Sequence, residues 1–113
     1  MDKHKHKLST HRGAPHARIW MEGARLVEAG FRHGLRFEVS WTPATLTLRL
    51  LTMDEQRDLG DRRAKGFGKV AGTPERPIID IAGGPVYEAF GKHADYVSVT
   101  YEHGYITVRR AGS

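Results

Sequence analysis

The sequence predicts a mainly β protein with short helices, built from two copies of one unit within a single chain of 113 residues. Three observations support this fold class. Segments 16–50 and 76–110 resemble each other without a gap. Within each segment, apolar residues alternate with polar ones, which is the period of a half-buried strand. A chain of this length typically forms one compact domain, because two independent cores would not fit.

The two segments match in identity as well as in pattern. Eight of their 35 aligned pairs are identical, whereas ordinary composition gives about two. The identical pairs are Ile19/Ile79, Gly23/Gly83, Glu28/Glu88, Ala29/Ala89, His33/His93, Val39/Val99, Thr47/Thr107 and Arg49/Arg109. We therefore divide the chain into repeat 1 over 16–51, a linker over 52–75 and repeat 2 over 76–111.

The first repeat predicts the order strand, short helix, strand, strand. Ile19 and Met21 alternate with larger or polar neighbours, and Gly23 ends that strand. Residues 24–31 place apolar side chains on one side of about two helical turns, which predicts a short helix. Two alternating runs, 35–41 and 46–50, flank a short turn and predict a hairpin.

The second repeat predicts the same elements at 79–81, 84–91, 97–101 and 106–108. Gly104 supplies the positive φ that such a hairpin turn often needs. A unit of 35 residues cannot close a core alone, since chains below about 40 residues normally need a staple or a partner. We therefore expect the two units to bury their apolar faces against each other, as an intramolecular pseudodimer forming one barrel domain over 16–111.

Positive charge is concentrated at the start of the chain. The net charge is +5, and residues 1–18 hold five lysines and arginines against one aspartate. Four histidines and few apolar residues complete this stretch, which predicts a disordered basic arm over 1–15. Such arms typically contact polyanions, because each cation beside a phosphate releases a counterion. A solubilising tail is the alternative.

The linker has balanced charge and no apolar alternation. Because it is long for a connection in a compact domain, we expect a surface segment with one helical turn near Asp54 to Leu59. Its portion 62–69 is the second basic concentration of the chain. Phe67 within that portion is a candidate either for stacking on a base or for packing.

The stretch MEGARLVEAGFRHGLRFEV, residues 21–39, resembles the core of the SymE-like toxin family. The family pattern is an apolar residue, a glycine, a leucine, an Ala-Gly-Phe triplet, a further glycine and an apolar hairpin. The matching positions are Met21, Gly23, Leu26, Ala29, Gly30, Phe31, Gly34, Phe37 and Val39. The second repeat matches more weakly, at Gly83, Val86, Ala89, Val97 and Val99.

This resemblance implies a fold and a function. The family belongs to the AbrB and MazE group of swapped-hairpin β-barrels, which typically assemble from two short chains and bind DNA with basic residues near the first strand and helix. The chain looks like such a dimer fused into one polypeptide. The implied function is DNA binding, as a transcriptional regulator or nucleoid-binding factor. The alternative is a SymE-like toxin of a toxin–antitoxin system that cleaves RNA.

The candidate nucleic-acid-binding residues are basic side chains of the arm, the repeats and the linker. The first repeat is basic around its first strand and helix, whereas the corresponding positions of the second are mostly neutral. One half should therefore dominate the contact with phosphates, and a solvated arginine face is the alternative. The candidates are Lys3, Lys5, Lys7, Arg12, Arg18, Arg25, Arg32, Arg36, Arg62, Arg63 and Lys92.

Enzyme chemistry has weaker support. His33 and His93, with Glu28 and Glu88, recur at equivalent positions and offer acid–base groups. The same residues suit a solvated loop, so we assign no catalytic residue and do not expect an enzyme. Cysteine is absent, which excludes disulfides and thiolate ligands. The histidines of the arm lack the fixed four-ligand geometry of a metal site, so we assign no metal or cofactor.

The sequence also predicts a cytoplasmic protein. No apolar run approaches the about 20 residues that cross a bilayer, and the N-terminus lacks the apolar stretch of a secretory signal. We expect no membrane partner. The expected assembly is a monomeric pseudodimer, which leaves further self-association open.

Overall fold

Residues 2–111, which the computed structural model describes, form ten strands and three short helices. A π-helical turn, Tyr87–Gly91, follows the third helix directly. None of these helices is long and apolar enough to cross a membrane. The elements are β1 (Asp2–Lys7), β2 (Ser9–His11), β3 (Ala14–Glu22), α1 (Ala24–Glu28), β4 (Arg36–Thr42), β5 (Thr45–Leu50), α2 (Met53–Leu59), β6 (Phe67–Lys69), β7 (Ala71–Gly72), β8 (Pro77–Ala82), α3 (Gly84–Val86), β9 (Tyr96–Glu102) and β10 (Tyr105–Arg110).

The strands form two open antiparallel sheets. The larger has the order β1-β9-β10-β5-β4-β6, and the smaller has the order β2-β3-β8-β7. The prediction of a mainly β fold with short helices is confirmed, but the predicted closed barrel is not found among these strands. Closure needs paired edges, and the edge strands β6 and β7 have only three and two residues. Of the other two edges, β2 has only three residues, and β1 carries alternate lysines, a feature that disfavours further strand pairing.

Residues at the same position in the two repeats are sixty residues apart in the chain, and the strand pairings between the repeats are centred on such residues. In the ladder of β3 with β8, Trp20 lies opposite its own counterpart, Asp80. In the ladder of β5 with β10, Thr47 lies opposite its counterpart, Thr107. Exchanging the two halves would therefore leave both registers unchanged. The strand order of each sheet also reads the same from either end when β1 to β5 are matched with β6 to β10.

The correspondence of the halves extends beyond the predicted repeats. The Leu8 N–H donates to the carbonyl of Asp95 at 2.7 Å, and the Val70 N–H donates to the carbonyl of Leu35 at 2.9 Å. Asp95 and Leu35 are counterparts in the repeat, and Leu8 and Val70 are both buried. Each unit therefore begins at its edge strand, β1 or β6. Leu8 and Val70 are sixty-two residues apart instead of sixty, because the segment from Leu8 to Arg18 is two residues longer than the segment from Val70 to Ile78, the counterpart of Arg18.

The N-terminal segment is not the disordered arm that its composition predicts. Met1 is the one residue of this segment that lies outside the described residues. Residues 2–7 pair with β9 along their whole length, and β2 pairs with β3. The backbone hydrogen bonds of β1 offset the scarcity of apolar side chains. Arg12 and Gly13, with φ of 50° and 82°, form the two-residue turn to β3, and positive φ at both positions is typical of a type I′ hairpin.

The linker contains the predicted helical turn but is shorter than 52–75. Helix α2 begins with a capping box, in which the Thr52 side chain accepts from the Glu55 N–H and the Glu55 carboxylate accepts from the Thr52 N–H. Beyond it, β6 pairs with β4 and β7 pairs with β8. Residues 67–72 therefore belong to the sheets, and the connection consists of α2 and the loop 60–66.

One apolar core is built from the inner faces of both sheets and from the helices. Leu46, Leu48 and Ile106 contribute from the larger sheet, and Met21 and Ile79 contribute from the smaller. The helical segments add Leu26, Val86 and Phe90. Because strand side chains alternate between the faces of a sheet, this core leaves the polar residues of the larger sheet on its outer face.

Candidate nucleic-acid interface

The outer face of the larger sheet begins at β1 with a line of three lysines. Lys3, Lys5 and Lys7 are exposed, whereas His4 and His6 between them are partly buried on the inner side. Alternation along the strand therefore places all three ammonium groups on one side. We call these three residues the lysine row. The structure places these three candidates together on one strand, and their binding of nucleic acid stays a prediction.

Two exposed tyrosines continue this face beside the lysine row. Tyr96 is 40 % exposed and lies opposite Lys7, and Tyr105 is 49 % exposed on β10. The Lys5 Nζ lies 4.9 Å from the centre of the Tyr96 ring, within the range of a cation–π contact. Arg109, exposed on β10, shares this face. Sequence reasoning missed both tyrosines and Arg109, although the alternation of the predicted second hairpin already separates them from its apolar side.

The middle of the outer face is lined with hydroxyl groups. Thr107 lies between Thr100 on β9 and Thr47 on β5, and Ser40 follows opposite Thr47 on β4. These side chains are short and uncharged. Thr100 is only 7 % exposed, whereas the other three hydroxyls are accessible enough to donate to phosphate oxygens.

Arg49 joins this sheet to α2. Its Nε donates to Glu38 at 3.1 Å, and its two Nη groups donate to the Glu55 carboxylate at 3.0 Å each. The bonds from Arg49, with the backbone bond from Thr52, lower the pKa of Glu55 to about 2. Arg49 offsets the charge of one of these two carboxylates, so the cluster keeps one negative charge at this end of the outer face. α2 is held beside the β5 strand by the same contacts.

Arg36 has a different role from the exposed phosphate ligand that the sequence suggests. It is only 8 % exposed. Its Nε donates to the Gly68 carbonyl at 3.0 Å, and its Nη1 donates to the carbonyls of Gly60 and Arg62 at 2.9 and 3.0 Å. Arg36 therefore organises the loop 60–68 against the start of β4.

An open cavity of about 730 Å³ lies at this loop. Five of its nine lining residues are basic and one is acidic, so it carries an excess of positive charge. The lining residues are Arg36, Asp61, Arg62, Arg63, Ala64, Lys65, Phe67, Gly68 and Lys69. We call it the Arg36 cavity. Phe67 is partly buried in its wall, which agrees with a packing role, and its stacking on a base stays a prediction.

The four arginines of the first repeat lie on different elements. On β3, Arg18 Nε lies 3.1 Å from Asp80 Oδ1. On α1, Arg25 Nε donates to His4 Nε2 at 2.8 Å. Arg32 is exposed in the loop after α1, and Arg36 is buried as described. They do not form one surface with four free guanidinium groups, because two of them are paired and one is enclosed.

The remaining candidates are dispersed over the surface. Arg12 is exposed in the turn between β2 and β3, and Arg62 and Arg63 are exposed in the loop after α2. Lys92 donates to Glu88 at 2.8 Å. This contact lowers the pKa of Glu88, the opposite of the raised pKa that a carboxylic general acid requires. The repeated Glu and His residues thus resemble a solvated turn.

Two histidines hold β1 against the inner side of the sheet. His6 Nε2 lies 3.1 Å from the Tyr101 hydroxyl, and the His4 ring stands edge-on to Tyr101 at 5.8 Å between centres. Burial lowers the pKa of His6, and the neighbouring charges of Arg25 and His4 act in the same direction. Nowhere in the described part of the chain do three His, Asp or Glu side chains converge as metal ligands.

Comparisons with family models, with curated proteins and with solved structures found no match to this chain. The function is therefore inferred from the chain's own residues and their geometry.

Proposed function

We propose that the protein binds DNA through the outer face of its larger sheet. The observation that carries this proposal is the lysine row, three exposed cations held on one side of an ordered edge strand. Since β1 is fixed by its ladder with β9, these cations lose less conformational freedom on binding than lysines of a disordered arm would.

The spacing of the lysine row suits a phosphate backbone. Alternate residues of a strand repeat at about 6.7 Å. One strand of DNA advances about 3.4 Å along its axis for each phosphate and also winds around that axis, so neighbouring phosphates lie about 6 to 7 Å apart. A nucleic-acid strand lying along β1 would therefore place successive phosphates beside successive lysines.

The neighbouring groups extend this contact across the sheet. The hydroxyls at the centre of the face can donate to phosphate oxygens, as such side chains commonly do in DNA complexes. Tyr96 and Tyr105 present large exposed rings, which could stack on bases of an opened strand or pack on sugars. The face thus combines backbone-positioning groups at its edge with aromatic groups further in.

We also propose that the two units correspond to the two subunits of a swapped-hairpin dimer joined in one chain. The registers centred on Trp20/Asp80 and on Thr47/Thr107 support this relation. Its surface is unequal, because the lysine row of β1 has only Lys69 as a charged counterpart on β6. Such a protein would act as a regulator of transcription or a nucleoid-binding factor, and its first unit would make more contacts with DNA phosphates than its second.

The test is a fluorescence anisotropy titration with a short duplex DNA, the matching single strand and an RNA of the same sequence, over a range of salt concentrations. We expect log Kobs to fall with log salt, by about 0.9 for each phosphate neutralised on duplex DNA. Changing Lys3, Lys5 and Lys7 together to Gln should make that slope shallower by about 2 to 3.

A variant with Arg57 and Arg76 changed to Gln is the matched control for a variant with Lys5 and Lys7 changed to Gln. It loses the same net charge from exposed residues outside the proposed face and should bind DNA nearly as tightly as the parent. Binding that does not depend on salt would contradict the proposal, as would an equal loss in the control variant. Cleavage of the RNA, seen on a denaturing gel, would instead favour the toxin alternative.

A further inference from the structure

We infer that the Arg36 cavity is a binding site for a phosphate group, separate from the lysine row. The proposal starts from the guanidinium of Arg36. Its position is fixed by three backbone carbonyls, at 2.9 to 3.0 Å. A buried guanidinium held in this way is preorganised, because it need not be ordered again when a ligand arrives.

Part of this guanidinium remains available. An arginine has five N–H donors, and the three carbonyls occupy the donors of Nε and Nη1. Within residues 2–111, no acceptor is assigned to Nη2. Nη2 retains some solvent-accessible surface and Arg36 lines the cavity, so Nη2 is the donor group that a ligand in this space would meet.

The charges around the cavity favour an anion. The four other cations are exposed on its rim, whereas Asp61 is the single acid in its lining. The Lys69 Nζ lies 3.9 Å from Asp61, which offsets one charge. Arg63 and Lys65 have no side-chain hydrogen bond or ion pair within the described range. Their mutual repulsion would be relieved by a phosphate, which carries up to two negative charges and accepts several charge-assisted hydrogen bonds.

Within residues 2–111, the two halves differ at the position of Arg36. Lys69 lies opposite Arg36 in the register of β6 with β4, and Lys7 lies opposite Tyr96 in the register of β1 with β9. The second position therefore has a lysine but no buried guanidinium. We expect one phosphate site per chain.

The experiment uses pyrophosphate as the probe and isothermal titration calorimetry on the full-length protein at low ionic strength. We expect saturable binding at one site per chain. Changing the exposed Arg63 and Lys65 together to Gln should weaken it by about tenfold or more, as expected when two charge-assisted bonds are lost. These variants keep Arg36 and hence the loop, so a loss of binding would not reflect unfolding.

Lys69→Gln and Lys7→Gln form a matched pair, because the two lysines occupy equivalent positions on the two edge strands. Lys69→Gln should weaken pyrophosphate binding, whereas Lys7→Gln should leave it unchanged within about twofold. Absence of saturable heat in the parent would overturn the inference. An equal effect of the two substitutions would overturn it too, because it would indicate a general attraction to positive charge.

The phosphate could belong to a free compound or to a nucleic-acid backbone. Competition distinguishes these sources: displacement of pyrophosphate by duplex DNA indicates the backbone, and displacement by a mononucleotide alone indicates a free compound. The lysine-row variant should retain pyrophosphate binding even where DNA binding is lost. Loss of both pyrophosphate binding and DNA binding in that variant would contradict a separate site. If the parent protein binds pyrophosphate but no DNA, only the proposed function is contradicted.

Discussion

His6 is a titratable group placed where its charge is disfavoured. It lies on the inner side of β1, with Nε2 near the Tyr101 hydroxyl. Arg25 and His4 are the charged and titratable groups that act on it, and Lys5 and Lys7 flank it along the strand on the opposite side. All of these are cations or weak bases. The folded protein therefore favours neutral His6, and proton binding should work against the docking of β1.

This environment predicts a loss of stability in mild acid. Burial lowers the pKa of His6 below its ordinary value of 6.5, so the unfolded chain binds the proton more readily than the folded chain. Its contribution is fully present above about pH 6.5 and declines as the pH falls below that value towards the lowered pKa. Urea unfolding at about pH 7.5 and about pH 5.5 measures the difference.

The variant His6→Gln separates this effect from the titration of other groups. Gln keeps an amide able to bond with the Tyr101 hydroxyl but does not titrate, so the decline between the two pH values should be smaller. A decline as large as that of the parent would show that His6 is not its source. Glu55 and Glu88 contribute little in this window, because their pKa values are lowered and they lose their charge only in stronger acid.

At the scale of elements, the helical segment of the second unit differs from that of the first. α1 ends at Glu28 and is followed by Gly30 with a φ of 88°. α3 instead continues into the π-helical turn, which brings Gly91 against β3. A Cβ on Gly91 would lie 2.2 Å from the carbonyl oxygen of His16. The turn can approach β3 so closely because glycine has no side chain.

Gly91→Ala should therefore destabilise the protein by about 1 to 3 kcal/mol or more, since the clash is with backbone and cannot be relieved by rotating a side chain. Gly84→Ala is the matched control in the same segment. A Cβ on Gly84 meets nothing within 4 Å, so this change should be neutral or stabilise by up to about 1 kcal/mol. Chemical denaturation gives both free energies of unfolding, and equal values for the two variants would contradict the close packing of the π-helical turn on β3.

At the scale of the whole molecule, the two units depend on each other. Four of the eight strand pairings join one unit to the other: β1 with β9, β3 with β8, β5 with β10, and β4 with β6. Both edge strands of the larger sheet pair with the hairpin of the opposite unit. Neither unit alone can satisfy its backbone groups or cover its apolar face.

We predict that residues 1–64 and 65–113, expressed separately, are each largely unfolded and that they assemble into a folded complex when co-expressed. The break lies in the exposed loop after α2, so it interrupts no strand. Circular dichroism of each fragment and co-purification through a tag on one of them measure this outcome. As a control, Leu48→Asp, which places a charge in the shared core, should prevent assembly. A fragment that folds alone would contradict the mutual dependence.

Much of the fold could be predicted from local patterns. The alternating run 35–41 became β4, the run 46–50 became β5, and Gly104 has the positive φ expected in its turn. The candidate site was only partly predictable. Lys3, Lys5 and Lys7 were found by their charge, whereas Tyr96 and Tyr105 were missed because aromatic residues in a strand suggest a core as readily as a binding face.

The sequence by itself determined the strands within the two predicted repeats, their inner faces and the relation between the repeats, because side-chain alternation and repetition can be seen in the order of residues alone. The tertiary structure decided where the edges lie. It ordered β1, whose histidines contact Tyr101 on β9, and His6 and Tyr101 are 95 residues apart in the chain. It also enclosed Arg36, whose three carbonyl partners lie 24 to 32 residues further along the chain. Such partners are brought together by folding, so no local pattern could indicate them.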